Sequence, residues 1–520
     1  MSKISYATRP DPHAASDHDL VALLETGAFD DAIDGCKTRL AQNINDPSAN
    51  HFAAIALREL GQPQQALDFH ARAVANAPVK ADHLYELGRS FDALKLRTEA
   101  IKAFSAAETL NPSDPRFALA TAFCLYNADD PQALLKVDHI LSQHPENTGA
   151  LNLKASVLLA LNESEAAIEV LLRSWRLDPE NSGALYILAK HMPLDACQEI
   201  ETALSAELTQ NEGCGKSRLY FARAELSHRK QHYADAYAYF EKGNAAVASN
   251  LVYDPAAAQT ASAELRELFS QEVVTAPLPS ANCPNPIFIV GLPRSGSTLV
   301  DSILTAHSQV SSLGEIGELS NAVRRLGSHQ VPSQREALLH VQQSYLWAPS
   351  IKAVETPHVV DKYLGNYFHI GHIVHAFPNA RIVHVHRDLR AVAWSIYRQH
   401  FADAQIPFGY DPQHLVGFIS AYCDLMSFWS SQFGDRIVHL SYERLVETPN
   451  ETIPQLIAEL DLPWDAACLT PHKVKRMVTT ASQGQVTQEI YTGSSDVWRS
   501  YAPFAGSWLS ELPGTDWRAR

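Results

Sequence analysis

The chain has no CxxC pair, no apolar run long enough to span a bilayer and no excess of positive charge. Each absence excludes something. Seven cysteines (Cys36, Cys124, Cys197, Cys214, Cys283, Cys423 and Cys468) are scattered and odd in number, which argues for reduced thiols over a disulfide framework and offers no zinc spacing. Lys and Arg total 42 against 58 Asp and Glu, a formal net charge of -16, so general affinity for nucleic acid or an anionic membrane is not expected. An anionic ligand would need a local basic pocket. The opening MSKISYATRPDPHAASDHDL lacks the apolar core of a secretory signal, and the expectation is a cytoplasmic protein with no membrane or nucleic-acid partner. What is present is globular: 520 residues, 46% hydrophobic and 19% charged, enough for two or more domains.

The first half is periodic. Pro78, Pro112, Pro145 and Pro179 are spaced 34, 33 and 34 residues apart, the period of a helix-turn-helix repeat of the tetratricopeptide class. In the copy starting at Ala81, Leu84, Leu87, Gly88 and Phe91 share one helical face, and Ala100, Phe104 and Ala107 share the face of a second helix. Copies from Pro47, Asp114 and Glu146 repeat the small residue at Ala66, Ala133 and Ala167, and a weaker copy lies near Ala224, Ala236 and Phe240. Stacked repeats present a concave binding face. Helical spacing puts Asp82, Tyr85, Arg89 and Asp92 on that face in the copy from Ala81, where an acceptor chain could dock.

After Val274 the segment TAPLPSANCPNP carries four prolines and little periodicity, and the pattern then changes. IFIV meets a glycine-rich loop and an amphipathic helix; Arg381–Phe401 is a second strand-loop-helix unit; Arg436–Leu445 reads as a third strand. Strands alternating with helices predict a parallel sheet covered on both faces, with ligands at the carboxyl ends of the strands. The domain reading is a helical repeat region over residues 1–272, a linker over 273–285 and an α/β domain over 286–520.

The loop Gly291-Leu-Pro-Arg-Ser-Gly296-Ser297-Thr298 fits GxxxxG followed by Ser-Thr, yet a phosphate loop of the nucleoside-triphosphate type carries lysine where Ser297 sits. Its glycines let backbone N–H groups approach an oxyanion, the following helix offers the positive end of its dipole, and Arg294 adds a fixed planar charge. Arg387 ends the second strand and Ser395 follows 8 residues on, so both could converge on one anion. His369, His372 and His375 recur every 3 residues and His384 and His386 alternate, but no cysteine or Glu-His signature accompanies them and no metal is expected.

PRSGSTLV, LGEIGEL, VDKYLGNYFHIG, VHRDLRAVAWSIYRQHF and TASQGQVTQEIYTGSSDVWRSY, in that order, resemble the motifs of the tetratricopeptide-repeat sulfotransferases and, more distantly, of the protein-tyrosine sulfotransferases. The likeness runs from Pro286 to Arg520. It implies a multidomain chain: an N-terminal all-α tetratricopeptide solenoid, then an α/β P-loop-like sulfotransferase domain with a central parallel sheet. It also implies 3′-phosphoadenosine 5′-phosphosulfate as donor, handled without an obligatory metal. By that resemblance Arg294, Ser295, Gly296, Ser297 and Thr298 hold the 5′-phosphosulfate, and Arg387 with Ser395 the 3′-phosphate. Tyr442, Ser482 and Arg499 are further donor contacts, Glu315 is the general base with Glu318 its nearest competitor, and Lys362 stabilises the leaving oxygen. Two departures stand out: Tyr363-Leu364 replaces the usual Met-Pro after the lysine, and Val497 stands where a basic residue usually precedes the tryptophan, Trp498. The acceptor stays open among a protein (tyrosine included), a glycan and a small hydroxylated molecule, and so does assembly as a homodimer. A metal-dependent kinase or NTPase and a non-catalytic repeat scaffold are the alternatives; the loop's missing lysine disfavours the first, and the presence of Glu315, Lys362 and Arg387 the second.

Overall fold

The computed structural model describes residues 15–518 apart from 77–79, 211–215, 250, 252, 271–277, 279–283, 327–333, 402–405 and 475–488. The expected linker therefore lies almost wholly outside the described residues. The chain forms two compact units, Met1–Ile140 and Leu141–Arg520.

The first unit is built of antiparallel helical hairpins: Asp17–Glu25 with Phe29–Gln42, Pro47–Glu59 with Pro63–Asn76, Ala81–Ala93 with Arg97–Leu110, and then Pro115–Asn127. Asp46 and Asp114 cap their helices by accepting backbone N–H bonds, and each is followed by proline at the first helical position. Proline there loses no hydrogen bond and presets φ, which is why these residues punctuate the repeat. Small buried residues (Ala53, Ala66, Ala100, Ala107) let the helices close on one another. At Gly88 the approach is such that a Cβ would lie 2.6 Å from the Phe104 ring.

Tyr85, expected on the concave face, is half-buried between exposed Asp82 and Arg89. Its ring packs 5.5 Å from both Phe104 and Phe117, with the Arg116 guanidinium 5.9 Å above it. The aromatic residues of the same and the next repeat recruit it into the helix-to-helix packing, a contact that one helix considered alone cannot reveal.

In the second unit the hairpin Thr148–Ala160 and Ser164–Leu177 is followed by Ser182–His191, Gln198–Gln210, Ser217–Arg229, Tyr233–Ala248 and Pro255–Ser270. The sheet comes next: β1 (Asn285–Gly291), β2 (Val310–Ser312), β3 (His358–Asp361), β4 (Arg381–His386) and β5 (Ile437–Ser441). All pairs are parallel, in the order β2-β3-β1-β4-β5. β1 is buried from Ile287 onward, as a central parallel strand covered on both sides must be. The Arg436–Leu445 stretch is strand only to Ser441, whose hydroxyl caps a short helix, Tyr442–Glu447; Tyr442 thus opens a helix at the strand end.

The two faces of β1 bury different partners. Ile287 and Ile289 pack with Val300, Ile303, Val383 and Leu456, whereas Phe288 and Val290 belong to a core that contains Ile373, Trp394 and Trp429. That second core also contains Phe221, Phe240 and Phe269, which come from the helical region. Phe269 sits against Gly371, where a Cβ would approach its ring to 2.7 Å, and 5.4 Å from Trp429. Asn244 donates to the Tyr397 carbonyl oxygen at 2.9 Å. The last helical hairpin and the helix after it are therefore part of the α/β domain's own core. Among the described residues no helix is long and apolar enough to cross a membrane.

Truncating Phe269 to alanine should cost about 3–5 kcal/mol, the usual range for emptying a buried aromatic site. Denaturant unfolding monitored by tryptophan fluorescence reads this directly; a loss below about 1 kcal/mol would show that the contact does not hold the helix to the domain.

Candidate active site

The loop after β1 is shaped by backbone constraints. Arg294 has φ +70° and Gly296 φ +101°, both in the left-handed region, and strain of this kind at a non-glycine residue persists only where the surroundings over-determine it. A Cβ on Gly296 would come within 2.2 Å of the Tyr442 ring, and one on Gly291 within 2.6 Å of the Val385 carbonyl oxygen. Glycine is required at both because of these close approaches. The helix Ser297–Thr305 starts directly on the loop, so the N–H groups of its first turn face the loop, as they would an oxyanion. Ser295 is buried in the loop with its hydroxyl lacking a protein partner.

β4 pairs with β1, so its carboxyl end arrives beside the loop. Arg387, buried, donates through Nη1 to the Arg294 carbonyl oxygen at 3.1 Å and through Nε to Ser495 Oγ at 3.0 Å, and its guanidinium lies 4.5 Å from the Tyr442 ring centre. Arg294 Nε donates to Ser395 Oγ at 2.9 Å. Arg294, Gly296, Arg387, Ser395 and Tyr442 are thus brought together. Ser482 lies outside the described residues. Arg499 is on the surface, its side chain 64% exposed and bonded to Asp496. In its place the closing segment supplies Ser494, 2.7 Å from Tyr442 OH, and Ser495, which donates to Glu443 at 2.9 Å. The small polar run Gly493-Ser494-Ser495 was the available sequence signal for these two.

The second cluster sits at the end of β3. Lys362 Nζ, with only 3% of its side chain exposed, donates to Glu315 Oε1 at 2.9 Å. Glu315 is carried by a loop pinned from two sides: Lys362 N donates to Gly314 O at 2.9 Å, and Gly314 N donates to Ser312 Oγ at 3.0 Å. Ser312 in turn donates to Asp301 Oδ1 at 2.6 Å, tying this loop to the helix after β1. Glu318 lies elsewhere in the packing, accepting from Ser350 Oγ at 3.0 Å. His369 bonds Ser320 Oγ at 3.1 Å, and burial, with His372 and Arg324 adding to it, holds its pKa down to about 3. His384 bonds His439 at 2.9 Å and Tyr422 OH at 2.7 Å. Among the described residues no three His, Cys, Asp or Glu side chains are grouped to hold a metal ion.

Sequence reasoning missed a set of residues from the helical region. Glu225 forms a two-oxygen ion pair with Arg398 Nη2 at 3.1 and 3.0 Å, with 7% and 22% of the two side chains exposed. Arg398 Nη1 approaches His228 Nε2 at 3.2 Å, and His228 Nδ1 meets Tyr501 OH at 2.7 Å. Because arginine only donates, His228 must be the neutral ring with its proton on Nδ1. Burial pushes its pKa down to about 4, and the Arg398 charge acts in the same sense. Burial also lowers Arg294, to about 10, reinforced by the charges of Arg387 and Arg398. Burial raises the Glu225 carboxyl, but Arg398, Lys190 and His228 outweigh it and hold it below its ordinary value. No spacing rule connects residue 225 to residue 398; only folding does.

Residues 286–466 match the sulfotransferase family model and residues 148–181 a tetratricopeptide repeat model. The α/β domain is thus similar to the sulfotransferase family over that stretch, and the helical region to tetratricopeptide repeats. An uncharacterized protein of Aquifex aeolicus is 29% identical over 380 residues, covering 69% of this chain and 49% of that protein. The protein-tyrosine sulfotransferase of Drosophila melanogaster is 25% identical over 254 residues, covering 42% of this chain and 47% of the relative. The chain thus spans about half the length of these curated relatives. Among solved structures, the sulfotransferase domain from the curacin biosynthetic pathway is similar at 20% identity and TM-score 0.30, over 42% of this chain and 92% of that one. YrrB, a tetratricopeptide-repeat protein with an unusual peptide-binding site, is similar at 20% identity and TM-score 0.28, over 33% and 88%.

Next to Lys362 lies Asp361, fully buried, accepting from Tyr363 N and Asn366 Nδ2, each at 3.0 Å. Burial lifts its pKa from 3.8 to about 7, the hydrogen bonds opposing that rise only in part. A carboxyl raised on folding favours the fold fully below its unfolded pKa, and this contribution is lost as pH rises through the folded value. The wild-type melting temperature should therefore fall between about pH 5 and pH 8 relative to that of Asp361→Asn, whose amide mimics the protonated acid. Parallel pH profiles of the two proteins would rule the assignment out.

Proposed function

We propose that the α/β domain transfers a sulfuryl group from 3′-phosphoadenosine 5′-phosphosulfate to an acceptor hydroxyl. The observation that carries this reading is the Lys362–Glu315 pair, a buried cation and a half-exposed carboxylate 2.9 Å apart at the sheet's carboxyl edge, in the same domain as a glycine loop that lacks a triphosphate-binding lysine. The sulfotransferase family match supports it. The residues fit a doubly anionic nucleotide. An unpartnered buried hydroxyl (Ser295), a helix N-terminus and Arg294 suit its 5′ end, and Arg387 with Ser395 its 3′-phosphate.

When bound, the donor supplies the sulfuryl group, whose bond to the phosphate oxygen breaks as the bond to the acceptor oxygen forms. Glu315 takes the proton of the attacking hydroxyl. Lys362 holds positive charge where the leaving oxygen becomes negative, and its burial makes that charge more effective than it would be in water. Lys362 donates to Glu315, and this bond orients both side chains. The pinned loop at Gly314 fixes the base relative to the helix after β1, a positioning role for Asp301 and Ser312.

The acceptor is a hydroxyl on a protein, and the name of the Drosophila relative favours tyrosine. The concave face of the repeats would dock that protein. Buried, reduced thiols at Cys36, Cys124, Cys197 and Cys468 suit work in the reducing cytoplasm.

Transfer of labelled sulfate from the donor into a fractionated lysate, with identification of the product, tests the reaction. Glu315→Gln should slow turnover by about 10² to 10⁴ while leaving adenosine 3′,5′-bisphosphate binding intact, with Glu318→Gln close to wild type. Loss confined to Glu318→Gln would move the base. Tight ATP binding that needs magnesium, without bisphosphate binding in chelator, would replace the reading with a kinase or NTPase.

A further inference from the structure

The register of β4 against β5 pairs His386 with Ser441, so the chain leaves both strands at the same level. Two residues beyond each, Glu443 Oε1 accepts from the Asp388 backbone N–H at 3.0 Å. The same oxygen accepts from Ser495 Oγ at 2.9 Å, and Ser495 accepts from Arg387 Nε at 3.0 Å. These directions are fixed, because arginine only donates and the serine's single proton is left for the carboxylate. Glu443 thus holds two consecutive residues of the turn after β4, one by its backbone and one through a hydroxyl. Arg387 Nη1 is tied separately, to the Arg294 carbonyl oxygen at 3.1 Å, and among the described residues Nη2 has no hydrogen-bond partner.

That turn carries more than Arg387. Asp388 caps the helix Leu389–Tyr397, accepting from Arg390 N at 2.9 Å and Ala391 N at 3.2 Å, and this helix bears Ser395. One carboxylate therefore stands behind both residues assigned to the 3′-phosphate. It does so without pairing with the arginine. A direct carboxylate–guanidinium fork would occupy two of the planar donors at once. The Ser495 hydroxyl instead stands between the two groups, so Arg387 is aimed while Nη2 stays available.

We propose that Glu443 is the positioning residue of the 3′-phosphate site, acting through Ser495 on the Arg387 guanidinium and through the Asp388 N–H on the helix that bears Ser395. This rests on the sulfotransferase reading. Glu443 itself touches no ligand; its effect lies in its two hydrogen bonds, and its negative charge is a cost that the intervening serine keeps at a distance from the phosphate.

Titration calorimetry of the full chain with adenosine 3′,5′-bisphosphate and with adenosine 5′-monophosphate, alongside thermal unfolding, tests this. Glu443→Ala should weaken the bisphosphate about 10-fold or more and leave the monophosphate within about 2-fold. Glu443→Gln, whose carbonyl oxygen can accept both bonds, should stay within about 2-fold of wild type or bind more tightly. Ser495→Ala should also weaken the bisphosphate, and adding it to Glu443→Ala should cost no more than about 2-fold further, because both act through one chain of bonds. Should Glu443→Ala not fold, Ser495→Ala and Glu443→Gln carry the same comparison. A lower melting temperature with unchanged bisphosphate affinity would make Glu443 a structural residue only, and equal losses for both nucleotides would remove its link to the 3′ end; either overturns the proposal. A Glu443→Gln loss as large as that of Glu443→Ala would overturn it too, by placing the effect in the charge. If wild type does not bind the bisphosphate, the donor reading fails and the proposal falls with it; wild-type binding that these variants leave untouched sinks the proposal alone.

Discussion

Arg294 and Arg387 meet at the end of β4, with Arg398 and its partner Glu225 nearby, and much of the second unit is arranged to make that tolerable. Two unit charges about 4 Å apart repel by about 4 kcal/mol at an effective dielectric of 20, so several such pairs rival the net stability of a domain. The structure answers with delocalised guanidinium groups, which are weakly hydrated, and with an aromatic ring, Tyr442, under Arg387. Glu225 offsets one charge. Glu443 and Asp388 act on Arg387 in the same sense, inside a protein whose overall charge is strongly negative.

The sheet decides where these charges lie. Parallel pairing of β1 with β4 puts the glycine loop and Arg387 side by side, and pairing of β1 with β3 brings Lys362 to the same edge. Each cluster is stiffened from behind. Asp301 and Ser312 hold the Glu315 loop, and Glu443 holds both Ser495 and the Asp388 backbone N–H at 3.0 Å. Rigid strand ends and buried polar ties therefore hold both clusters in fixed geometry.

Much of this was legible in the chain, for a physical reason that also marks the limit. The glycine loop, Arg387 and Lys362 stand where a strand gives way to a loop, and such boundaries leave a short-range signature of apolar run, glycine and charge. The repeats announced themselves through prolines at helix starts and alanines at helix crossings. The ring contacts of Tyr85 were not legible because its neighbours, Phe104 and Phe117, belong to the second helix of its own repeat and to the next repeat. Glu225 and His228 were invisible because they sit on a helix whose pattern is that of any repeat. Their chemistry exists only once that helix meets residues some 170 to 270 positions on, as for Glu225 with Arg398 and His228 with Tyr501. Ser494 and Ser495 went unnoticed among other small polar residues of the closing segment.

The shared core of Phe221, Phe240 and Phe269 with Trp394 and Trp429 bears on how such a chain can change over generations. A recombination event at the proline-rich composition break would separate rings that pack in one core. Ile140 ends the first compact unit, and the rings named above all lie beyond that seam. Repeats upstream of that seam can be gained, lost or exchanged as cassettes, altering what the protein reaches for, while the last helices stay bound by descent to the domain whose interior they complete.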